Sequence, residues 1–303
     1  MAVMRSVMYT PGNNEEMVQK MPRLDADVLV LDIEDSVPEA EKEKARSIVK
    51  GAIPAVAKSG AQVYVRINDW RTGMTEDDLD AIVQEGLDGV VLAKTESGED
   101  VTRLDEKLTE LEAERGLEPG SIAAQLLIET AKGVINAYEA AIASERVNSL
   151  VFGAVDYTRD MRIRLTREGD EVLVARCWTA IAARAAGHIA IDPPYPSFRD
   201  TEGFIKNSEQ GRQFGFEGRM LIHPAQIEPS HKAYAPTEEG VEYAKEVVEV
   251  FEKAMEEGKA SVSIRGEMID VAVYRTQLDV LGKARIVGEW LQEKEERKKR
   301  WEV

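Results

Sequence analysis

Two acids close two short apolar runs. Glu129 ends Ala123-Ala-Gln-Leu-Leu-Ile-Glu129, and Asp156 ends Ser149-Leu-Val-Phe-Gly-Ala-Val-Asp156. Carboxylate oxygens are hard donors, and Mg²⁺ is commonly held by one or two of them, with water and substrate supplying the remaining ligands. If the two runs are neighbouring strands, their ends bring both acids to one solvent-facing rim, where they can share such an ion. Each acid could instead stabilise the amino end of the helix that follows it, because negative charge is favoured there. Zinc is not indicated, since no His pair or Cys cluster stands at zinc-ligand spacing.

Other apolar runs end on charged residues as well: Asp32, followed closely by Glu34 and Asp35, then Arg66, Lys94, Asp192 and His223. A lone polar residue at a strand end is often structural, but several acids and two cations on one rim form a constellation. The planar fork of Arg66 suits an oxyanion or a carboxylate, and an ion pair to Glu34 or Asp35 is compatible with that use. Asp32, Glu34 and Asp35 beside an arginine read as acids that orient it rather than as further metal ligands. Thr10-Pro-Gly-Asn-Asn14 reads as a turn opening a helix, where Gly12 would let the backbone approach a ligand and the helix start would favour an anion. His188 and His231 read as structural, and His223, before a proline, as a group that orients others.

These residues need elements that converge. Runs of strand character at Ser6–Tyr9, Val28–Asp32, Val63–Ile67, Gly89–Ala93, Ala123–Glu129, Ser149–Asp156, His188–Asp192 and Arg219–His223 alternate with helical patterns such as Glu39–Ala57, Thr75–Glu85, Val101–Arg115, Lys132–Ala143 and Glu171–Ala186. Eight such units point to an α/β fold, a (β/α)₈ TIM barrel spanning 1–235, with its active site at the carboxyl ends of the strands. A helical extension and lid occupies 236–303: a helix over Thr237–Glu257, a loop over Gly258–Gly266, and a last helix from about Met268 to Gln292. The run Glu293–Arg300 reads as a frayed, solvated end.

With 303 residues, 43% of them hydrophobic, the chain can bury a full core, while its net charge of −17 leaves no basic face for nucleic acid or an anionic membrane. Cys177 is the only cysteine, so no internal disulfide can form. With no run of transmembrane length and no signal-like apolar core, a soluble cytoplasmic protein is expected.

In this order the motifs resemble the citrate lyase β-subunit and malyl-CoA lyase family of the HpcH/HpaI aldolase superfamily. The resemblance runs from Arg5 to about Gly282. It is carried by Arg5-Ser-Val-Met-Tyr-Thr-Pro-Gly12, Leu31-Asp-Ile-Glu-Asp-Ser-Val37 with Lys44-Ala-Arg46, Val65-Arg-Ile-Asn68, Leu127-Ile-Glu-Thr-Ala131 and Gly153-Ala-Val-Asp-Tyr157. Ala190-Ile-Asp192, Gly215-Phe-Glu-Gly-Arg-Met-Leu-Ile-His-Pro224 and Gly266-Glu-Met-Ile-Asp270 complete it. The resemblance implies Mg²⁺-dependent cleavage or formation of a carbon–carbon bond between a CoA thioester and a 2-oxo acid, glyoxylate or pyruvate, with Mn²⁺ as an alternative ion.

The resemblance also assigns roles. Glu129 and Asp156 match the metal ligands, Arg66 the arginine facing the thioester enolate, and Asp270 an acid on a carboxy-terminal lid that closes over a neighbouring subunit's site. Lys20 matches a lysine near the CoA phosphates, and Arg5, Tyr9, Pro11, Gly12, Ala154, Val155 and Asp192 fall in the motifs that bind substrate and CoA. A homotrimer or homohexamer follows. This chain departs from the family at Asn14, where Arg is usual, and at Arg219, where Lys is usual. Rival readings are a citrate lyase β-subunit acting on a citryl thioester of an acyl-carrier protein, an aldolase on free hydroxy-oxo acids, and a catalytically silent subunit of a larger assembly.

Overall fold

The structure is a computed structural model and describes residues 3–301. Strands and helices alternate as β1 Ser6–Pro11, α1 Glu15–Lys20, β2 Val28–Asp32, α2 Lys42–Ala57, β3 Gln62–Ile67, α3 Thr75–Ile82, β4 Gly89–Leu92, α4 Gly98–Arg115 and β5 Ala123–Ile128. They continue as α5 Ala131–Ala141, β6 Val147–Phe152, α6 Ala154–Asp160, α7 Leu173–Ala186, β7 Ile189–Asp192, α8 Thr201–Gln213, β8 Gly218–Leu221 and α9 Ile227–Tyr234. The eight strands pair in sequence order, all in parallel, and β1 pairs with β8 to close a barrel. This is the (β/α)₈ architecture, and its strands are buried on both faces, as a helix-jacketed parallel barrel requires.

Register decides which residues meet. Asp32 on β2 lies opposite Arg66 on β3, so both side chains point to the same face of the wall. Asp192 on β7 lies opposite Arg219 on β8. The partners of that second pair come from the surrounding helices: Arg176 on α7, Asn207 and Ser208 on α8, and Tyr234 on α9. Asp192 is fully buried there, on the helix side of the wall. Its carboxylate is committed to two guanidinium groups and a phenol.

The opposite mouth of the barrel is also tied by ion pairs. Arg5, just before β1, grips Asp27 with its backbone N–H and both arms of its side chain at 2.8–3.0 Å. Both residues are buried at the amino ends of the strands, and the side chain of Arg5 is committed to Asp27.

The chain divides into two compact units. One is Met4–Tyr234 together with the residues from Lys294 onward, and the other contains Ala235–Glu293. Within the second, α10 (Glu238–Glu256) and a hairpin of β9 (Val262–Ile264) and β10 (Glu267–Ile269) bury Val247, Phe251, Ile264 and Ile269. The stretch expected as a loop thus holds a strand, because Arg265 and Gly266 both take positive φ, the two-residue turn that a tight hairpin needs. The last helix, α11 (Val271–Arg300), starts after β10 rather than at Met268.

The expected frayed end is instead docked. Lys294 is buried and donates to Asp25 at 2.6 Å and to the Ala26 carbonyl at 2.8 Å, while Arg297 reaches the Gly60 and Ala61 carbonyls and Asp88. A run of alternating charge is solvated only when nothing on the protein complements it, and here the strand-leading loops do. Lys294→Ala strands the buried Ala26 carbonyl, and we expect it to lower unfolding free energy by about 1–3 kcal/mol in urea titrations. An unchanged midpoint would show that these last turns are not held in solution.

Candidate active site

At the carboxyl ends of β2 to β6, five acids and two cations meet. Asp32 takes the Nε and Nη2 of Arg66 at 2.7 and 2.6 Å, and Glu34 lies 3.3 Å from its Nη1. These contacts fix the guanidinium plane and leave N–H groups on Nη1 and Nη2 for an anion. The ring of Tyr9 lies beneath Arg66, 5.3 Å from its central carbon. Tyr9 is buried, and its hydroxyl has no hydrogen-bond partner among the described residues.

Lys94 follows β4 with φ at +47°. Its ammonium donates to Glu34 and lies 3.3 Å from Asp35, and its backbone N–H donates to Glu129 Oε1 at 3.0 Å. Glu129 is only 2% exposed, so the expectation that it faces solvent is corrected. Gly153 explains how it fits, because a Cβ there would come within 2.6 Å of Glu129 Oε2. Helix α5 is capped by Thr130, whose hydroxyl accepts from the Gly133 N–H, so Glu129 does not cap it. Asp156 stands in the first turn of α6, beyond its cap residue Gly153, with Arg159 3.5 Å away.

The electrostatics are unbalanced. Burial pushes the Glu129 carboxyl up to about 8 against the pull of Arg66 and Lys94, and Glu34 and Asp156 add to the rise. Burial also takes Glu34 up to about 7 despite Arg66 and Lys94. Asp156 is raised by burial and then by Asp35 close by. Asp32 goes the other way, because Arg66 overrides its burial. Among the described residues no three His, Cys, Asp or Glu side chains converge to hold an ion unaided. Glu129 and Asp156 therefore offer a pair of hard donors whose charge a divalent ion would offset, with coordination positions left for other oxygens.

The remaining candidates separate. Ala154 and Val155 open α6 beside Asp156, with Ala154 buried and Val155 exposed. Gly12 is tight against its own chain: it donates to the Asp32 carbonyl at 2.7 Å, and a Cβ there would strike that oxygen and Val49. The close approach it permits is to β2 and α2. The Pro11 carbonyl accepts from Asn14, and Asn14 caps α1 through the Met17 N–H, which is the use this chain makes of that departure. Lys20 pairs with Glu16 on the exposed face of α1. Arg219, the other departure, belongs to the buried Asp192 network. His223 caps the turn after β8 and stacks on Phe198 at 4.6 Å. In the smaller unit, Asp270 caps α11 by accepting from Ala272 and Val273 through Oδ1.

Lys42 carries weight that the sequence did not signal. Its buried ammonium donates to the Ile33 and Glu34 carbonyls and to Asn68 at 2.7–2.9 Å, and so shapes the loop bearing Glu34 and Asp35. Within a run of alternating charge it reads as one more solvated lysine.

A family model described as HpcH/HpaI aldolase/citrate lyase matches residues 5–224. The chain is 38% identical to the citrate lyase subunit beta of Escherichia coli (strain K12), covering 94% of each chain. It is 29% identical to the mitochondrial citramalyl-CoA lyase of Mus musculus, covering 94% of this chain and 87% of that one. Among solved structures, it resembles CitE from Mycobacterium tuberculosis in complex with magnesium, acetoacetate and coenzyme A. That match has a TM-score of 0.74 and 28% identity, covering 93% of this chain and 98% of the other.

The raised Glu129 carboxyl makes a prediction with a definite sign. Without divalent ions the folded state favours the protonated acid, so the ionised form costs stability fully above about pH 8 and not at all below the ordinary value of 4.5. Glu129→Gln is therefore expected to raise the thermal midpoint in EDTA at pH 8.5, and the gain should vanish near pH 4.5. A gain independent of pH would show that charge burial is not its cause.

Proposed function

Because this chain belongs to the HpcH/HpaI aldolase/citrate lyase family and is a carbon–carbon lyase, we propose that its rim site works on a 3-hydroxyacyl thioester of coenzyme A. Malyl-CoA, methylmalyl-CoA and citramalyl-CoA are the substrate class, cleaved to acetyl-CoA or propionyl-CoA and glyoxylate or pyruvate, or formed from them. The observation that carries the reading is the excess of raised carboxylates around a fixed guanidinium, Glu34 and Glu129 buried and Asp156 part-buried. Such a site suits a divalent cation together with an anionic, oxygen-rich substrate. A solved relative that binds magnesium, acetoacetate and coenzyme A supports the same combination.

Glu129 and Asp156 would hold Mg²⁺, with Mn²⁺ as a substitute. Bound there, the ion would supply Lewis acidity to the oxygens of the oxo acid and its hydroxyl precursor. When the hydroxyl loses its proton, the carbon–carbon bond breaks and negative charge moves to the thioester oxygen. Arg66 meets that oxygen with the N–H groups not used on Asp32 and Glu34, and its orientation is set before the charge arrives. The unpartnered Tyr9 hydroxyl offers a further polar contact. Ala154 and Val155 are assigned to the acyl end, and Lys20 to the CoA phosphates. Asp270 is assigned the return of a proton to the enolate carbon, from a neighbouring subunit of a homotrimer or homohexamer. Its use of Oδ1 alone in capping is compatible with that role.

A second reading is a citryl thioester carried by an acyl-carrier protein. It is favoured by the 38% identity to a citrate lyase subunit beta against 29% to a citramalyl-CoA lyase. Mg²⁺-dependent assays on the three CoA thioesters, with no citrate lyase partners present, separate the two readings. Turnover of any of them supports the first, and turnover of citryl-carrier protein alone replaces it. Arg66→Lys keeps the charge but loses the fork, so kcat is expected to fall by about 10²-fold or more. Unchanged kcat with a raised KM would make Arg66 a binding group only. Mixing inactive Asp270→Asn with inactive Glu129→Ala subunits should restore partial activity if the acid acts between subunits. Verified exchange without activity would overturn that assignment.

A further inference from the structure

Lys94 is one of three non-glycine residues with positive φ among the described residues. That conformation is unfavourable for an L residue, so the surrounding structure must hold it there. The pose joins two groups of acids. The backbone N–H fixes Glu129 Oε1 at 3.0 Å, while the ammonium bridges Glu34 and Asp35. Glu34 is further tied to Arg66 at 3.3 Å and to the Asp35 N–H at 2.7 Å. Asp35 makes its ion pair with Lys94, with Arg66 adding a weaker pull, and its carboxylate faces Asp156. Lys94 is thus a cation in contact with Asp35 that also acts on both acids of the proposed metal pair.

We propose that Lys94 is a positioning residue that sorts the acids of the rim: by engaging Glu34 and Asp35 it leaves Glu129 and Asp156 as the only protein carboxylates on the divalent ion, and so keeps coordination positions open for the 2-oxo acid. The inference rests on the metal reading above. Two carboxylates balance the charge of a divalent ion. A third would bind the ion more tightly, occupy a position the substrate needs, and repel the substrate's own carboxylate. The lysine would then trade metal affinity for substrate access.

The test uses Mn²⁺ as the probe. Free Mn²⁺ is followed by electron paramagnetic resonance on the full chain, with pyruvate and glyoxylate binding measured separately by calorimetry. Lys94→Met removes the ammonium. Lys94→Gly removes it and also relieves the backbone while retaining the N–H to Glu129, so a folding defect in the first variant does not decide the result. Both are expected to bind Mn²⁺ about tenfold tighter and the oxo acid at least about tenfold more weakly, whereas Lys94→Arg keeps the wild-type order. Asp35→Asn added to Lys94→Gly should return Mn²⁺ affinity to the wild-type value, a coupling that a merely structural lysine would not produce. Equal or weaker Mn²⁺ binding in folded Lys94→Gly protein, or no reversal by Asp35→Asn, overturns the proposal while leaving the metal site standing. Wild-type protein that binds no Mn²⁺ overturns both.

Discussion

A carboxylate buried without a cation is costly, and the rim of this barrel gathers more acids than its cations can neutralise. Arg66 satisfies Asp32 and shares Glu34, and Lys94 shares Glu34 and Asp35. Glu129 and Asp156 are left with raised carboxyls. Much of the local architecture serves to keep this imbalance in place. Gly153 makes room for Glu129, Thr130 takes over the capping that would otherwise draw on it, and Lys42 holds the loop that carries Glu34 and Asp35.

The contrast with the other charged clusters of the barrel is instructive. Asp192 is as buried as Glu129, yet Arg176, Arg219 and Tyr234 saturate it, and no shortage of positive charge remains. At the amino-terminal mouth, Arg5 closes on Asp27 in the same way. Lys294 and Arg297 bind the nearby loop carbonyls and carboxylates. Satisfied networks of this kind hold the barrel wall together. The rim cluster differs in holding raised carboxylates, guanidinium N–H groups not used on Asp32, and a buried phenol with no hydrogen-bond partner among the described residues.

The smaller unit follows simpler rules. Its hairpin depends on two consecutive residues with positive φ, and its core is a handful of side chains from α10 and the two short strands. Asp270 sits where that hairpin hands over to α11, a junction fixed by its own capping bonds.

Much of this was legible from one-dimensional pattern. Alternating apolar runs and helical periods specify eight βα units, since a strand covered on both faces must be apolar throughout. A titratable residue ending each run after the first then marks the rim. Side-chain direction was not legible: Asp192 and Asp32 both end apolar runs, but register turns one toward the helices and the other toward the barrel axis. Gly12 is expected from the sequence to let the backbone approach a ligand, and the close approach in the fold is to the neighbouring strand. Lys42, Lys94 and Lys294 look alike in a charged sequence, and only the folded chain brings carbonyls and carboxylates around them. The sequence by itself determined which chemistry is available and at which end of the barrel it gathers. Tertiary structure decided which charges are neutralised and which are left over, because the ionisation of a buried group depends on its neighbours in space.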